Sequence, residues 1–143
     1  MKRLAAIIGL LALTGAGASP AAAGEPYARG DVMRAEHLCR STAITGHITT
    51  DFKDRAWTYL KMPVAISSIR GTHATRVSGR DDLHSVRRTY CSAKAVMTDG
   101  RARDLYYLIE GGMGFAGMGD HLEYCVGGLD PWYVYGRYCA SLR

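Results

Sequence analysis

The sequence lacks an apolar run of about 18 residues, which is the length that a membrane-spanning helix requires. We therefore expect no transmembrane segment after removal of an N-terminal export signal. The sequence also lacks a C-x-x-C pair, which argues against a four-cysteine zinc site. No Gly-x-Ser-x-Gly motif is present, so the nucleophile turn of an α/β-hydrolase is excluded. Internal repeats are missing as well.

The composition is that of an ordinary globular protein, with 48% hydrophobic and 22% charged residues among 143. This balance argues against disorder. The length predicts one domain, because about 120 residues remain once a signal is removed. A chain of this size can bury a core, and four cysteines can help to stabilise it.

Residues 1–23 have the features of an export signal. Lys2-Arg3 form a positive region, Leu4–Leu13 form an apolar stretch, and Ala21-Ala22-Ala23 form a small-residue cleavage pattern before Gly24. The apolar stretch is about half as long as a bilayer-spanning helix, so an anchor is not expected. Cleavage at this point predicts a periplasmic or secreted protein.

After the signal we expect a flexible leader over 24–30 and a single domain over 31–143. All four cysteines lie in the domain, at Cys39, Cys91, Cys125 and Cys139. An even number of cysteines in an exported chain predicts two disulfides, with three possible connectivities.

The charge is unevenly distributed along the chain. Residues 29–103 contain 14 basic and 7 acidic side chains, whereas residues 104–143 contain 2 basic and 5 acidic ones. A basic face can meet an acidic protein or an anionic envelope component, although these charges can equally solvate the surface or pair with the acidic half. Nucleic acid is not an expected partner, because the chain is exported and its basic residues are scattered.

The first part of the domain has a helical pattern. Asp31 is a plausible N-cap, and apolar spacing predicts a short helix to about Arg40. The segment 41–62 remains open. Its residues 51–60 fit either a second helix or an irregular crossing, and a helix would pack Phe52, Ala56, Trp57 and Leu60.

A β pattern follows Pro63. The predicted strands are 64–70, a short 73–77, 86–97, 102–110 and 121–126. Thr98-Asp99-Gly100-Arg101 predicts a tight hairpin turn, because Asp-Gly supplies a positive φ. We therefore expect an α+β protein, in which a short N-terminal helix, or two, packs on an antiparallel meander of about four strands.

This meander predicts the disulfide pairs Cys39–Cys91 and Cys125–Cys139. Strands 86–97 and 121–126 would flank the strand between them and lie about 10 Å apart, whereas a disulfide requires Cα atoms about 4.4–6.8 Å apart. If 121–126 instead paired with 86–97, a Cys91–Cys125 bridge would be allowed.

A glycine-rich segment spells G-x-G-x-x-G from Gly112 to Gly117. No helix pattern follows Gly117, and only 26 residues remain after it, so a βαβ dinucleotide-binding unit does not fit. We therefore expect no cofactor. One interpretation is a strand connection anchored to the core by Met113, Phe115 and Met118. The other is a recognition loop that presents apolar side chains and backbone N–H groups. Its candidate residues are Gly112, Met113, Gly114, Phe115, Gly117 and Met118.

Three carboxylates bracket this segment: Glu110, Asp120 and Glu123. Glycoside cleavage uses two carboxyl groups about 5–10 Å apart across a cleft, so a hydrolase is an alternative hypothesis. Carboxylates at strand ends are more often plain surface residues.

A metal site would need His121 and Glu123, which share a strand face, together with His84 or His73. The five histidines form no tight cluster in sequence, so we expect no metal. The C-terminal aromatics can stack on sugar rings, but we expect them to cover the core. They are Trp132, Tyr133, Tyr135 and Tyr138.

The residues that carry a resemblance lie between residues 90 and 139, in five short motifs: Tyr90-Cys91, Asp99-Gly100-Arg101, Tyr107-Leu108-Ile109-Glu110, Gly112-Met113-Gly114-Phe115-Ala116-Gly117 and Glu123-Tyr124-Cys125-Val126. Over this range the chain resembles small exported four-cysteine proteins of Gram-negative bacteria. The resemblance implies a periplasmic location and paired cysteines, and it implies no catalytic residues.

Together these features favour a non-enzymatic domain that binds a protein or a cell-envelope component. The alternatives are a small envelope hydrolase that uses Glu110 with Asp120 or Glu123, and a structural envelope or stress protein. A deep cleft with converging carboxylates would favour the hydrolase, and a flat or convex sheet would favour binding.

Overall fold

The computed structural model of the protein describes residues 29–79, 86–114 and 119–143. The predicted signal 1–23 and most of the predicted leader lie outside these residues. Two helices, a π-helical turn, four strands and a terminal 3₁₀ segment follow in order: α1 Arg29–Cys39, α2 Thr42–Arg55, the turn Ala56–Leu60, β1 Ile66–Ser78, β2 Arg88–Met97, β3 Ala102–Glu110, β4 His121–Val126 and Arg137–Leu142.

The four strands form one antiparallel sheet in the order β1-β2-β3-β4. The predicted α+β class, with helices packed on a four-stranded meander, is therefore confirmed. The separate strands expected at 64–70 and 73–77 are one strand, β1, which is interrupted by three register shifts. Gly71 lies at one of them with a φ of 64°, a conformation that glycine adopts without steric cost. This irregularity explains why the sequence pattern divides there.

Alternation along the central strands separates two faces of the sheet. The face toward the helices carries Cys91, Ala93, Ala95 and Met97 from β2 and Leu105, Tyr107 and Ile109 from β3. Ile48 and Phe52 of α2 pack against it. The two alanines leave room for the helix side chains, so the main core lies between the helices and the sheet.

The opposite face holds a smaller apolar cluster, in which Leu108 and Cys125 of the sheet contact Cys139 and Leu142. The terminal 3₁₀ segment therefore covers part of the face that the helices leave open. No helix within residues 29–79, 86–114 and 119–143 is long and apolar enough to cross a membrane.

Each face of the sheet carries one disulfide. Cys39–Cys91 joins α1 to β2 with a Cα separation of 5.7 Å, and Cys125–Cys139 joins β4 to the terminal segment with 5.8 Å. Both predicted pairs are confirmed. A Cys91–Cys125 bridge is excluded twice, because β3 lies between the two strands and the two side chains point to opposite faces.

Tyr107 links the sheet to the end of α1. Its side chain is fully buried, and its hydroxyl donates a hydrogen bond to the carbonyl oxygen of Cys39 at 2.5 Å. Burial raises the pKa of this phenol well above its ordinary value. The contact satisfies one of the carbonyl groups that a helix leaves unpaired at its C-terminus.

The N-terminal boundary of α1 differs from the prediction. Asp31 lies inside the first turn rather than at the N-cap, and its Oδ1 accepts a hydrogen bond from Arg87 Nη1 at 2.6 Å. Arg29 and Gly30, which were assigned to the leader, also belong to α1. The role of Asp31 is therefore to form a long-range ion pair with Arg87 rather than to cap the helix. The local sequence contains no signal for this pair.

The β2–β3 hairpin closes with a three-residue loop. Gly100 donates its N–H to the Met97 oxygen at 3.0 Å, and Met97 donates its N–H to the Arg101 oxygen at 2.8 Å. Gly100 has a φ of 80°, as expected for the left-handed residue that ends such a loop.

The Gly100→Val variant should therefore lower the free energy of unfolding by about 1–2 kcal/mol, because a β-branched residue resists a positive φ. Gly79→Val is the matched control, since Gly79 has no left-handed φ and no atom within 4 Å of an added Cβ. Urea unfolding measures both variants. An equal loss in the two would contradict the strained turn.

Candidate functional site

The glycine-rich segment is described only in part. Phe115, Gly117 and Met118 lie outside the described residues. Gly111 and Gly112 form a turn, and Gly114 donates its N–H to the Gly119 oxygen at 3.1 Å. Among the described residues, Met113 is 50% exposed. The expectation that Met113 anchors this connection to the core is therefore wrong. The recognition loop remains a prediction.

The three candidate carboxylates each have a partner. Glu110 Oε1 accepts a hydrogen bond from Arg88 Nε at 2.7 Å, and Asp120 Oδ1 accepts one from the Gly112 N–H at 3.3 Å. The hydrogen bond that Arg88 donates to Glu110 raises the pKa of the Arg88 guanidinium. Glu123 Oε1 lies 3.4 Å from Nε2 of its strand neighbour His121.

The sheet places Glu110 and Glu123 on the face opposite the helices. Glu110 pairs with His121 across β3 and β4, and Leu108 pairs with Glu123, so the two glutamates are diagonal neighbours. Contacts of this kind stabilise a sheet surface without any catalytic role. The hydrolase stays an alternative hypothesis that these contacts do not favour.

Strand order separates the candidate metal ligands. His73 lies on β1 and His121 on β4, at opposite edges of the sheet, so about 14 Å of sheet separates them. His84 lies outside the described residues. Within 29–79, 86–114 and 119–143 no group of three or more ligating side chains is suited to hold a metal ion.

A different region forms an apolar concavity, which we call the aromatic groove. It lies between the end of α2 and the chain that follows β4, and its volume is about 350 Å³. This volume is near the lower end of the range for small-molecule sites, about 300–1,000 Å³. Its lining residues are Phe52, Arg55, Tyr59, Leu60, Tyr124, Cys125, Val126, Leu129, Asp130, Trp132, Val134 and Tyr135.

The π-helical turn shapes the first wall of the groove. In an uninterrupted α-helix Tyr59 would share the face of Phe52, because seven residues make about two turns. The wider turn after Ala56 instead brings Leu60 toward the core and leaves Tyr59 65% exposed. Trp57 is 69% exposed, so the expectation that it packs in the core is wrong.

Asp130 shapes the second wall. Its Oδ1 accepts a hydrogen bond from the Val134 N–H and its Oδ2 accepts one from the Tyr135 N–H, both at 3.0 Å. The carboxylate thereby fixes a turn that projects Trp132, which is 63% exposed. Asp side chains favour such turns because they substitute for backbone acceptors.

The aromatic tail does not cover the core as expected. Tyr133 and Tyr138 are 61% and 74% exposed, and among the tail aromatics Tyr135 alone packs against a core cluster. The reason is competition for space, since Cys139 and Leu142 already occupy the apolar area on that face of the sheet.

The groove ends at a polar network. Tyr124 donates its hydroxyl hydrogen to Asp51 Oδ2 at 2.7 Å, and Arg55 Nε forms an ion pair with the same oxygen at 2.6 Å. The Arg55 guanidinium also lies over the Tyr124 ring, 5.5 Å from its centre. Burial, followed by the bond to Asp51, raises the pKa of the Tyr124 phenol. This network fixes the position of one cation at the groove mouth.

The groove continues into a second depression of about 270 Å³. The two share Tyr59, Leu60, Leu129 and Trp132, and the second extends toward Met62 and Pro131. Sequence reasoning had named Trp132 but missed Tyr59, Leu129 and Arg55. The available signal was the pair of aromatics at the end of a predicted helix, Trp57 and Tyr59, which cannot both face the core.

Two strained backbone positions lie beside the groove. The non-glycine residues with positive φ among those described are Lys61, Tyr133, Tyr138 and Cys139, with values of 53–58°. Lys61 and Tyr133 adjoin residues of the groove lining, whereas Tyr138 and Cys139 lie in the terminal 3₁₀ segment. Each such conformation costs on the order of 1 kcal/mol, and strain of this kind clusters at functional sites.

Comparisons of the chain with protein-family models, with curated proteins and with solved structures find no match. The fold and the groove define a disulfide-linked α+β domain with an apolar concavity and one cation at its mouth. Function must therefore be argued from the site itself.

Proposed function

We propose that this protein is an exported, non-enzymatic binding domain that takes a protein or a cell-envelope component in the aromatic groove. The observation that carries the proposal is the exposure of large apolar side chains on both walls. Tyr59, Trp132 and Val134 are 65%, 63% and 69% exposed. Burial of one large apolar side chain is worth about 1.5–3 kcal/mol, so an occupant that covers these walls gains substantial binding energy.

The groove is also held in shape before any ligand binds. Cys125 lines it and is tied to Cys139, and Asp130 fixes the turn that carries Trp132. A preformed site loses little conformational entropy on binding, so more of the contact energy appears as affinity.

The disulfides support the proposed location. Such bonds persist in the periplasm and outside the cell, where no reducing pool acts on them. The signal features of residues 1–23 and the resemblance to exported proteins support the same compartment.

Photocrosslinking in the native host tests this function. With p-benzoylphenylalanine at position 59, irradiation should yield a covalent adduct in the periplasmic fraction, on a protein whose N-terminus is near Gly24. The same replacement of Lys94, which is exposed on the opposite face of the sheet, is the matched control. Trp132→Ala should reduce the adduct without unfolding the exposed turn.

Equal labelling at positions 59 and 94, or an adduct that Trp132→Ala leaves unchanged, would contradict binding in the groove. Recovery of the protein with Met1 from the cytoplasm would contradict export.

A further inference from the structure

We infer that binding in the aromatic groove is under redox control: a dithiol reductant cleaves the Cys125–Cys139 bridge of the folded protein, and the segment that forms the second wall then detaches. We call this segment, residues 130–143, the strap. The inference rests on the proposed function and concerns the regulation of the same site. It follows from the contacts of the strap, from its backbone strain and from the different surroundings of the two disulfides.

The strap carries one wall of the groove. Its residues that line the groove are Asp130, Trp132, Val134 and Tyr135. The opposite wall is formed by the π-helical turn after α2, with Tyr59 and Leu60. Detachment of the strap would leave the groove with a single wall, so an occupant would lose about half of its apolar contacts.

Few noncovalent contacts hold the strap on the sheet. Among residues 29–79, 86–114 and 119–143, each hydrogen bond of the strap joins two of its own residues. Tyr135 and Leu142 pack against Leu108 and Cys125 in the small cluster on the outer face. The Cys125–Cys139 bridge and this cluster are therefore what ties the strap to the sheet within the part of the chain that the structure describes.

The bridge also holds strained backbone. Tyr138 and Cys139 are consecutive residues with φ values of 53° and 58°. L-residues disfavour this left-handed conformation, because the Cβ atom approaches the following carbonyl oxygen. Once the bridge is cut, both residues can return to an ordinary conformation. The relief of strain then opposes closure of the strap.

The two disulfides have different surroundings. Cys139 lies between Tyr138 and Ala140, which are both exposed, so a small movement of the strap brings its Sγ to solvent. Cys39 and Cys91 are fully buried in the core between the helices and the sheet. A local opening requires less free energy than separation of the helices from the sheet, so a reductant reaches Cys125–Cys139 first.

The reaction is ordinary thiol–disulfide exchange. One thiolate of the dithiol attacks a sulfur of the Cys125–Cys139 bridge and forms a mixed disulfide, and the second thiol of the reductant then releases the protein. The dithiol loses two electrons and two protons and becomes a disulfide. The same electrons and protons appear in the thiols of Cys125 and Cys139, so no further reactant is consumed.

Reduction of the folded, oxidised protein by dithiothreitol at neutral pH provides the first test. Samples are labelled with N-ethylmaleimide over time and mapped as peptides. Cys125 and Cys139 should be labelled at least about tenfold faster than Cys39 and Cys91. In urea, which removes the protection of the core, both pairs should be labelled. Equal rates in the folded protein, faster loss of Cys39–Cys91, or resistance of both bridges would overturn the inference.

Hydrogen exchange tests whether the strap opens. In the double variant Cys125→Ala with Cys139→Ala, the amides of Val134, Tyr135 and Ser141 should exchange about a hundredfold faster than in the oxidised protein, since the loop is no longer closed. The amides of β2 should keep their protection, which shows that the sheet is folded. The double variant Cys39→Ala with Cys91→Ala is the matched control and should leave exchange in the strap unchanged. Unchanged protection of the strap without its bridge would overturn the inference.

The photocrosslink at position 59 connects the opening to binding. In periplasmic extract, prior treatment with dithiothreitol should abolish the adduct, and the variant without Cys125 and Cys139 should form none even without the reductant. An adduct that survives opening of the strap would overturn the redox control and leave the proposed function standing. Absence of an adduct from the oxidised protein would contradict the proposed function instead, and the control of binding would fall with it.

Discussion

Removal of the Cys39–Cys91 disulfide should lower the free energy of unfolding by about 4 kcal/mol, because the bridge closes a long loop in the unfolded chain. The two cysteines are 52 residues apart in sequence, and both are fully buried. The double variant Cys39→Ala with Cys91→Ala tests this. Urea unfolding at neutral pH gives the loss directly.

The other disulfide is the matched control. Cys125 and Cys139 are 14 residues apart, so the double variant Cys125→Ala with Cys139→Ala should lose about 3 kcal/mol. The effects on binding in the groove should have the opposite order. Loss of Cys125–Cys139 should weaken binding more than loss of Cys39–Cys91, because Cys125 lines the groove and Cys91 does not. A larger stability loss for the short loop, or a Cys91–Cys125 peptide in a non-reducing digest, would contradict the arrangement.

Stability should be constant from neutral pH to about pH 10 and should then fall as Tyr107 and Tyr124 ionise in the unfolded chain. Burial raises the pKa of both phenols in the folded protein, so the unfolded state loses these protons first. The stability they contribute is therefore fully present below about pH 10 and is lost as pH rises toward the folded values. The slope is about 1.4 kcal/mol per pH unit for each phenol, and the pH range over which it applies is narrower for the partly exposed Tyr124.

The Tyr107→Phe variant isolates this effect. It should be less stable at pH 7 by about 1 kcal/mol, because the bond to the Cys39 oxygen is lost, and it should lose less stability above pH 10. Tyr59→Phe is the control, since Tyr59 is exposed. Ultraviolet absorbance of the folded protein measures phenol ionisation. Titration of every tyrosine near pH 10 would contradict the protected phenols.

Local pattern was sufficient for the central hairpin and the last strand. The bounds predicted for β3 and β4, 102–110 and 121–126, agree with the structure, because alternation and the Asp-Gly turn are local signals. The disulfide pairing then followed from distance alone once the meander order was assumed. Even so, the sequence could not select the meander over a sheet that places β4 beside β2.

The segment 41–62 shows why the helices were harder to predict. Thr42–Arg55 is an α-helix, but the π-helical turn over Ala56–Leu60 rotates the residues that follow. An α-helical period continued through this turn would place Tyr59 on the face of Phe52, whereas the structure exposes Tyr59 and packs Leu60 against the core. Insertion of one residue into a turn leaves no clear signal in a single sequence.

Composition and local spacing by themselves determined the α+β class and the hairpin, because each depends on residues close together in the chain, and they predict an export signal. The even number of cysteines predicted the two disulfides. Tertiary structure alone decided the aromatic groove, since Leu60 and Leu129 are far apart in sequence and meet only when α2 packs beside β4. It also decided which aromatics remain exposed. Cys139 and Leu142 fill the space on the outer face of the sheet, so Trp132 is left at the groove wall.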